Sequence, residues 1–210
     1  MAGMAVELGS AMTRPTTMTA IEAIYGRRAT RAFTAAPIDE VTVHELLRAA
    51  VHAPTAMHLE PWAFVIVQDR ALLRRISDRA KTLIAGATLS HGELARTAHP
   101  PSRPAPFADP AFNIFYDANT LVVICAKPMG AFVAADCWLA AENLMLAATA
   151  YGLATCPIGF ALPALADTAI KAELAIPMEI TPIAAIIVGV PDATPPISPR
   201  REPQILSWKR

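Results

Sequence analysis

Arginine is the residue type whose number and placement first suggest chemistry. The 210-residue chain carries 18 basic and 18 acidic side chains, for a net charge of zero. Fourteen of the basic residues are arginine and four are lysine. Arg27, Arg28 and Arg31 sit together with no acid between Glu22 and Asp39, and Arg200 and Arg201 form a second pair near the other end. A guanidinium forks onto phosphate bidentately, which a lysine cannot do. Two unneutralised clusters on predicted loops of a neutral protein suggest one bound phosphate monoester, although spacing alone favours solvated surface charge.

Other chemistries can be struck out. There is no G-x-G-x-x-G and no G-x-x-x-x-G-K-[ST] cradle for a nucleotide, and no G-x-S-x-G elbow for a hydrolase. His44-Glu45 is followed by Arg48 rather than a second histidine, so the zinc-protease helix fails. The five histidines and three cysteines lack ligand-like spacing, and no metal site is expected. Asp136, Glu142 and Asn143 resemble an acid cluster, but on a nearly all-apolar segment they read better as interhelical hydrogen-bond partners. Cys156 reads either as a redox thiol or, better, as a small packed apolar residue.

Composition narrows the class further. Without a basic surplus, nucleic acid is not an expected partner. Apolar residues make up 54% and charged residues 17%, which excludes a disordered chain and hints at an oligomer. Three cysteines without a C-x-x-C pair cannot close a full disulfide framework, so a cytoplasmic protein is expected. The N-terminus lacks a positive region before an apolar block, so no secretory signal is read. The apolar stretch Ala131–Tyr151 is long enough to span a bilayer. It contains Asp136 and Glu142, and a mid-membrane carboxylate costs about 2.5–3.5 kcal/mol. It reads as a buried helix, with no membrane partner.

The elements that must position these residues follow from periodicity and caps. Residues 1–17 have no usable pattern and read as a flexible tail, leaving 18–210 as a single domain. Thr19 and Glu22 form a capping box for a helix reaching Gly26. Asp39 or Thr42 caps the next helix, with Thr42 and Glu45 as a second box, and it stops before Pro54. Pro61–Gln68 is a strand, and Asp69 caps a basic amphipathic helix. Gly86–Pro110 reads as irregular, and the wider 86–118 segment as a lid or substrate loop. Thr120–Lys127 is a second buried strand, and Phe132–Tyr151 a long helix closed by Gly152. A short strand at Leu153–Ile158, a helix at Ala164–Leu174, a strand at Thr181–Val188 and a short edge strand at QILSW complete the pass. Strands interleaved with helices predict a sheet covered on both faces.

Four segments in order are similar to the nitroreductase family of FMN-dependent oxidoreductases: RRATRAF (27–33), APTAMHLEPWAF (53–64), DCWLAAENLMLAATAYGLATCPIGF (136–160) and GVPDATPPISPRREP (189–203). The resemblance implies an α+β fold with a mostly antiparallel central sheet flanked by helices, assembled as an intertwined homodimer. It also implies an FMN cofactor, NADH or NADPH as co-substrate, and a small nitroaromatic or quinone acceptor in a ping-pong cycle.

Residue by residue, the resemblance places Arg27, Arg28, Ala29 and Arg31 along the FMN phosphate, ribityl chain and pyrimidine edge. Ala29 stands where the family has serine, with Thr30 a possible replacement. Pro54, Thr55, Ala56 and His58 would reach the flavin from the neighbouring subunit. His58 replaces the family's asparagine and Glu60 its glutamine. Against this, His58 reads equally as a satisfied core histidine, and Glu60 as a local backbone cap. Gly159 would aim its backbone N–H at flavin N5, beside Pro157 and Ile158, because Pro157 has no N–H to give. Arg201, before Glu202-Pro203, would hold the phosphate, with Arg200 a secondary candidate. The same resemblance leaves open a dehalogenase, an azoline oxidase or a flavin-fragmenting enzyme, and a non-catalytic flavin carrier or sensor.

Overall fold

The computed structural model describes residues 18–90, 109–193, 195–196 and 199–210. The tail at 1–17 and the 91–108 part of the expected lid lie outside these residues. Four strands form one sheet in the order β1-β2-β4-β3: β1 (Trp62–Val67), β2 (Thr120–Ala126), β3 (Ala154–Pro157) and β4 (Thr181–Gly189). Every neighbouring pair is antiparallel. The alternation of strands and helices along the chain thus does not produce parallel crossovers, and the fold is α+β.

The two central strands are buried on both faces, which explains their unbroken apolar sequence. From β2, Val122, Ile124 and Ala126 turn to one face, where they meet Ala184, Ile186 and Val188 of β4. Leu121, Val123 and Cys125 turn to the other, against Ala185 and Ile187. The first face is covered by α2 (Glu40–Ala50) and α4 (Val133–Ala150), the second by α3 (Arg70–Ser90), α5 (Leu162–Leu165) and α6 (Thr168–Glu173). Fully burying a side chain such as Leu144 or Leu165 contributes about 1.5–3 kcal/mol. Pro182 is tolerated in a central strand because the β2–β4 register shifts between Ile124 and Cys125.

The helix caps are written locally. Thr19 and Glu22 form the capping box of α1 (Ala20–Gly26), and hydrogen bonds from Thr19 hold the Glu22 carboxyl below its ordinary pKa. At α2 the cap is Asp39, whose carboxylate accepts the Thr42 N–H at 2.7 Å. Thr42 is therefore buried inside the first turn, and the alternative box with Glu45 does not form. At the end of α4 Gly152 adopts φ +71°, donating to the Thr149 carbonyl while Leu153 donates to that of Ala148. This pattern satisfies two carbonyls at the helix end.

Three further expectations are corrected. Residues 86–90 continue α3 rather than beginning an irregular segment. The helix expected over Ala164–Leu174 is broken, because Asp167 accepts from the Ala169 and Ile170 N–H groups and starts α6 afresh. An Arg79 hydrogen bond, with these backbone contacts, lowers the Asp167 pKa. The QILSW segment forms no strand and is exposed, since no sheet edge receives it. Among the described residues, no helix is long and apolar enough to cross a membrane.

Two stability tests follow. Gly152→Ala is expected to cost about 1–2 kcal/mol in urea unfolding, because it forces a Cβ into the left-handed region. Burial pushes the Cys125 and Cys137 thiols up to about 11. The unfolded chain releases these protons near its ordinary thiol value of about 8.5 while the folded chain keeps them. Stability should therefore hold below that pH and fall as pH rises towards 11, checked by thermal unfolding over that range.

Candidate functional site

Segment 27–31 leaves α1 and lies beside β3, fastened by the Ala29–Thr155 bridge and the Thr30 N–H donating to the Thr155 carbonyl at 3.1 Å. A cleft opens on each side of this bridge. The basic cleft, about 170 Å³, is lined by Arg27, Arg28, Thr30 and Thr149 among others. The aromatic cleft, about 350 Å³, is lined by Arg31, Phe112, Tyr116 and the 156–160 turn. Local structure fixes the arginines. Arg27 pairs with Glu142 of α4 at 3.6 Å, Arg28 donates to the carbonyls of Tyr25 and Arg27, and Arg31 lies 5.9 Å from the Tyr116 ring centre.

The 157–159 backbone decides which groups face the aromatic cleft. Pro157 ends β3 and has no N–H. The Ile158 N–H is spent on the Ala185 carbonyl at 2.8 Å, tying the turn to β4. Gly159 opens a 3-10 turn (Gly159–Ala161), whose first N–H has no partner within the turn. A Cβ built at Gly159 would meet nothing within 4 Å, so its surroundings are open. The Ile158 N–H is thus unavailable, and Gly159 alone of the three can donate. Cys156 also lines this cleft. Burial raises its pKa above the ordinary thiol value, against the opposing charges of Arg31 and Arg27.

The 54–60 segment forms a tight turn around Ala56–His58. Met57, His58 and Glu60 all have positive φ, at 56°, 53° and 45°, a costly conformation for residues other than glycine. The buried Asp136 fastens it, accepting the Ala56 N–H at 3.2 Å, and Thr55 accepts from the Glu60 N–H at 3.5 Å. Pro54 and His58 are exposed, which overturns the reading of His58 as a core histidine. The polar residues of α4 tie elements together rather than forming an acid cluster. Besides Asp136, Asn143 donates to the Ala49 carbonyl of α2, and Glu142 holds Arg27.

The structure gathers Arg31, Pro157, Ile158 and Gly159 in one cleft and Arg27 and Arg28 in the other, with Ala29 between. It does not bring Arg200 or Arg201 to either; both are exposed. Phe112 and Tyr116 fall within the 86–118 segment that the sequence reads as a lid or substrate loop, and both line the aromatic cleft. Their aromatic type close to a central strand was the available signal.

The profile of the Nitroreductase family matches residues 24–190. An Archaeoglobus fulgidus protein provisionally named NADH dehydrogenase/NAD(P)H nitroreductase is 24% identical over 176 residues, 81% of this chain and 84% of that one. A Bacteroides fragilis nitroreductase solved with bound FMN superposes with a TM-score of 0.74 at 26% identity, covering 92% of this chain and 100% of that one. An iodotyrosine deiodinase solved with FMN and 3-iodo-L-tyrosine superposes with a TM-score of 0.68 at 21% identity, covering 91% and 100%.

Asp136→Ala is expected to release the strained 55–60 turn and cost about 1–3 kcal/mol in urea unfolding, the usual loss for an orphaned buried donor. Asp136→Asn, which keeps an acceptor oxygen, should cost less.

Proposed function

The chain belongs to the nitroreductase family, and on that premise we propose that it is an FMN-dependent oxidoreductase passing hydride from NADH or NADPH to an electron-poor nitroaromatic or quinone. The observation that carries this reading is the unpartnered Gly159 N–H in a cleft adjoining a second one lined by Arg27 and Arg28. These residues fit a cofactor with a flat ring at one end and a phosphate at the other. When bound, FMN supplies the atom that takes up and gives back the hydride, the chemistry being the cofactor's.

The chain's own groups bind and orient. Arg27 and Arg28 hold the phosphate, with Thr30 in the same cleft taking the place of the hydroxyl lost at Ala29. The Glu142 pairing keeps the Arg27 guanidinium pointed. Arg31 and the Gly159 N–H, which line one cleft, would hold the ring, the first as a cation beside it and the second as a hydrogen-bond donor to a ring nitrogen. Pro157 and Ile158 give the ring an apolar backing. Arg201, with Arg200 as second candidate, is exposed and outside both clefts of the single chain, and would reach a phosphate only across the dimer.

The working unit in this reading is a homodimer, in which Pro54, Thr55, Ala56 and His58 approach the partner's cofactor. Two features support it: the outward-facing, strained 55–60 turn, and the exposed Ile205, Leu206 and Trp208, which are 62, 90 and 70% accessible. So much apolar surface near a chain end marks an interaction site.

The decisive experiment purifies the protein, adds FMN, and titrates NADH or NADPH anaerobically. Loss of the flavin's visible band, restored by a nitrofuran or quinone, is expected. A yellow protein that never bleaches supports a carrier, and one that takes up no FMN overturns both. Including 3-iodotyrosine among the acceptors tests the dehalogenase alternative. Arg27→Ala should weaken FMN retention by about 1.5–3 kcal/mol, the worth of a charge-assisted bond, measured by equilibrium dialysis. Arg201→Ala should weaken it too, and unchanged affinity there removes the C-terminal arginine from the site.

A further inference from the structure

One helix holds both walls of the aromatic cleft. On one side α3 packs against α5 and the 159–161 turn, and Arg79 pairs with Asp167 at 2.6 Å just beyond them. On the other side two buried polar residues of α3 reach the segment that carries Phe112 and Tyr116. The Lys81 ammonium donates to the Pro110 and Phe112 carbonyls at 3.0 and 2.8 Å and pairs with Asp78 at 2.9 Å. One turn earlier Ser77, fully buried, accepts the Ile114 N–H at 3.1 Å. Residues four apart lie on one helix face, so a single face grips three alternate residues of the wall, 110, 112 and 114.

This grip is not the cheapest way to fill the space. A buried ammonium costs free energy unless its donors are all used, and three acceptors use all three. An apolar side chain of similar length would fill the same volume without that cost. What the lysine adds is position. The wall it holds needs holding: Tyr116 and Asp117 have φ of +53° and +58°, a conformation that persists only where the surroundings impose it. The Phe112 and Tyr116 rings meet edge to face at 5.7 Å, so a shift of one moves the other.

We propose that Lys81, with Ser77, is a positioning residue that sets the gap between Phe112–Tyr116 and Pro157–Phe160, and so selects small flat aromatic acceptors over bulkier ones. The inference rests on the reading of this cleft as the flavin's, with the ring against Pro157 and Ile158 and the acceptor between the ring and the Phe112–Tyr116 wall. With a volume of about 350 Å³, the cleft is at the small end of ligand sites, so one displaced ring of its wall changes which acceptors enter.

The test uses the FMN-loaded enzyme and the variants Lys81→Met, Lys81→Arg and Ser77→Ala. Acceptors are 4-nitrobenzoate, with one ring, and anthraquinone-2-sulfonate, with three. Lys81→Met should raise KM for the one-ring acceptor about five- to tenfold relative to the three-ring one, with kcat changed less than about twofold. Lys81→Arg, which keeps the donors, should restore the wild-type ratio. In the flavin-free protein, amide exchange over 109–118 should quicken about tenfold in Lys81→Met but not in Lys81→Arg. Should Lys81→Met fail to fold, Ser77→Ala carries the same measurements, with smaller changes in the same direction. An unchanged KM ratio and unchanged exchange overturn this inference alone. Wild-type protein that takes up FMN and reduces neither acceptor overturns the functional reading with it.

Discussion

The antiparallel pairing of β3 with β4 is the interaction on which the site depends. It consumes the Ile158 N–H on the Ala185 carbonyl, ends the ladder at a proline that has none to give, and leaves the next residue at the start of a 3-10 turn. A single backbone donor is thereby presented at a cleft without any side chain. Because β4 is buried on both faces, that donor is attached to the core of the molecule, and its direction is set there rather than by a loop.

The basic side of the site is built on the same strand. The Ala29–Thr155 bridge fastens the arginine segment to β3 two residues before Pro157, so both clefts share one support. Glu142 and Asp136, both on α4, each hold a different part of the surroundings, one an arginine and the other the strained 55–60 turn. A helix that is apolar elsewhere thus carries a few polar residues where each ties down a segment with irregular backbone. The three cysteines play no comparable part: all are buried and protonated, and they pack as small apolar groups.

Much of this architecture was legible from the chain alone, because it is written in short-range patterns. The cap at Thr19, the stop at Gly152, the apolar strands at 62–67, 120–126 and 181–189 and the long helix at 133–150 depend on residues within one or two turns of each other. The absence of an N–H on Pro157 is likewise a property of one residue, and with the four family-like segments it singled out Gly159.

Other features depend on contacts between distant residues. Strand direction is one, since a doubly buried apolar strand reads the same in a parallel or an antiparallel sheet. The loss of Ile158 as a donor required Ala185, 27 positions away in sequence, to be its neighbour. The break in the helix at Asp167 accompanies an ion pair with Arg79 across the molecule. Phe112 and Tyr116 belong to the cleft only because α3 brings them there. Local free energies, then, chose the elements and their ends, whereas burial on two sheet faces and hydrogen bonds across the sheet chose their partners, and with them the site.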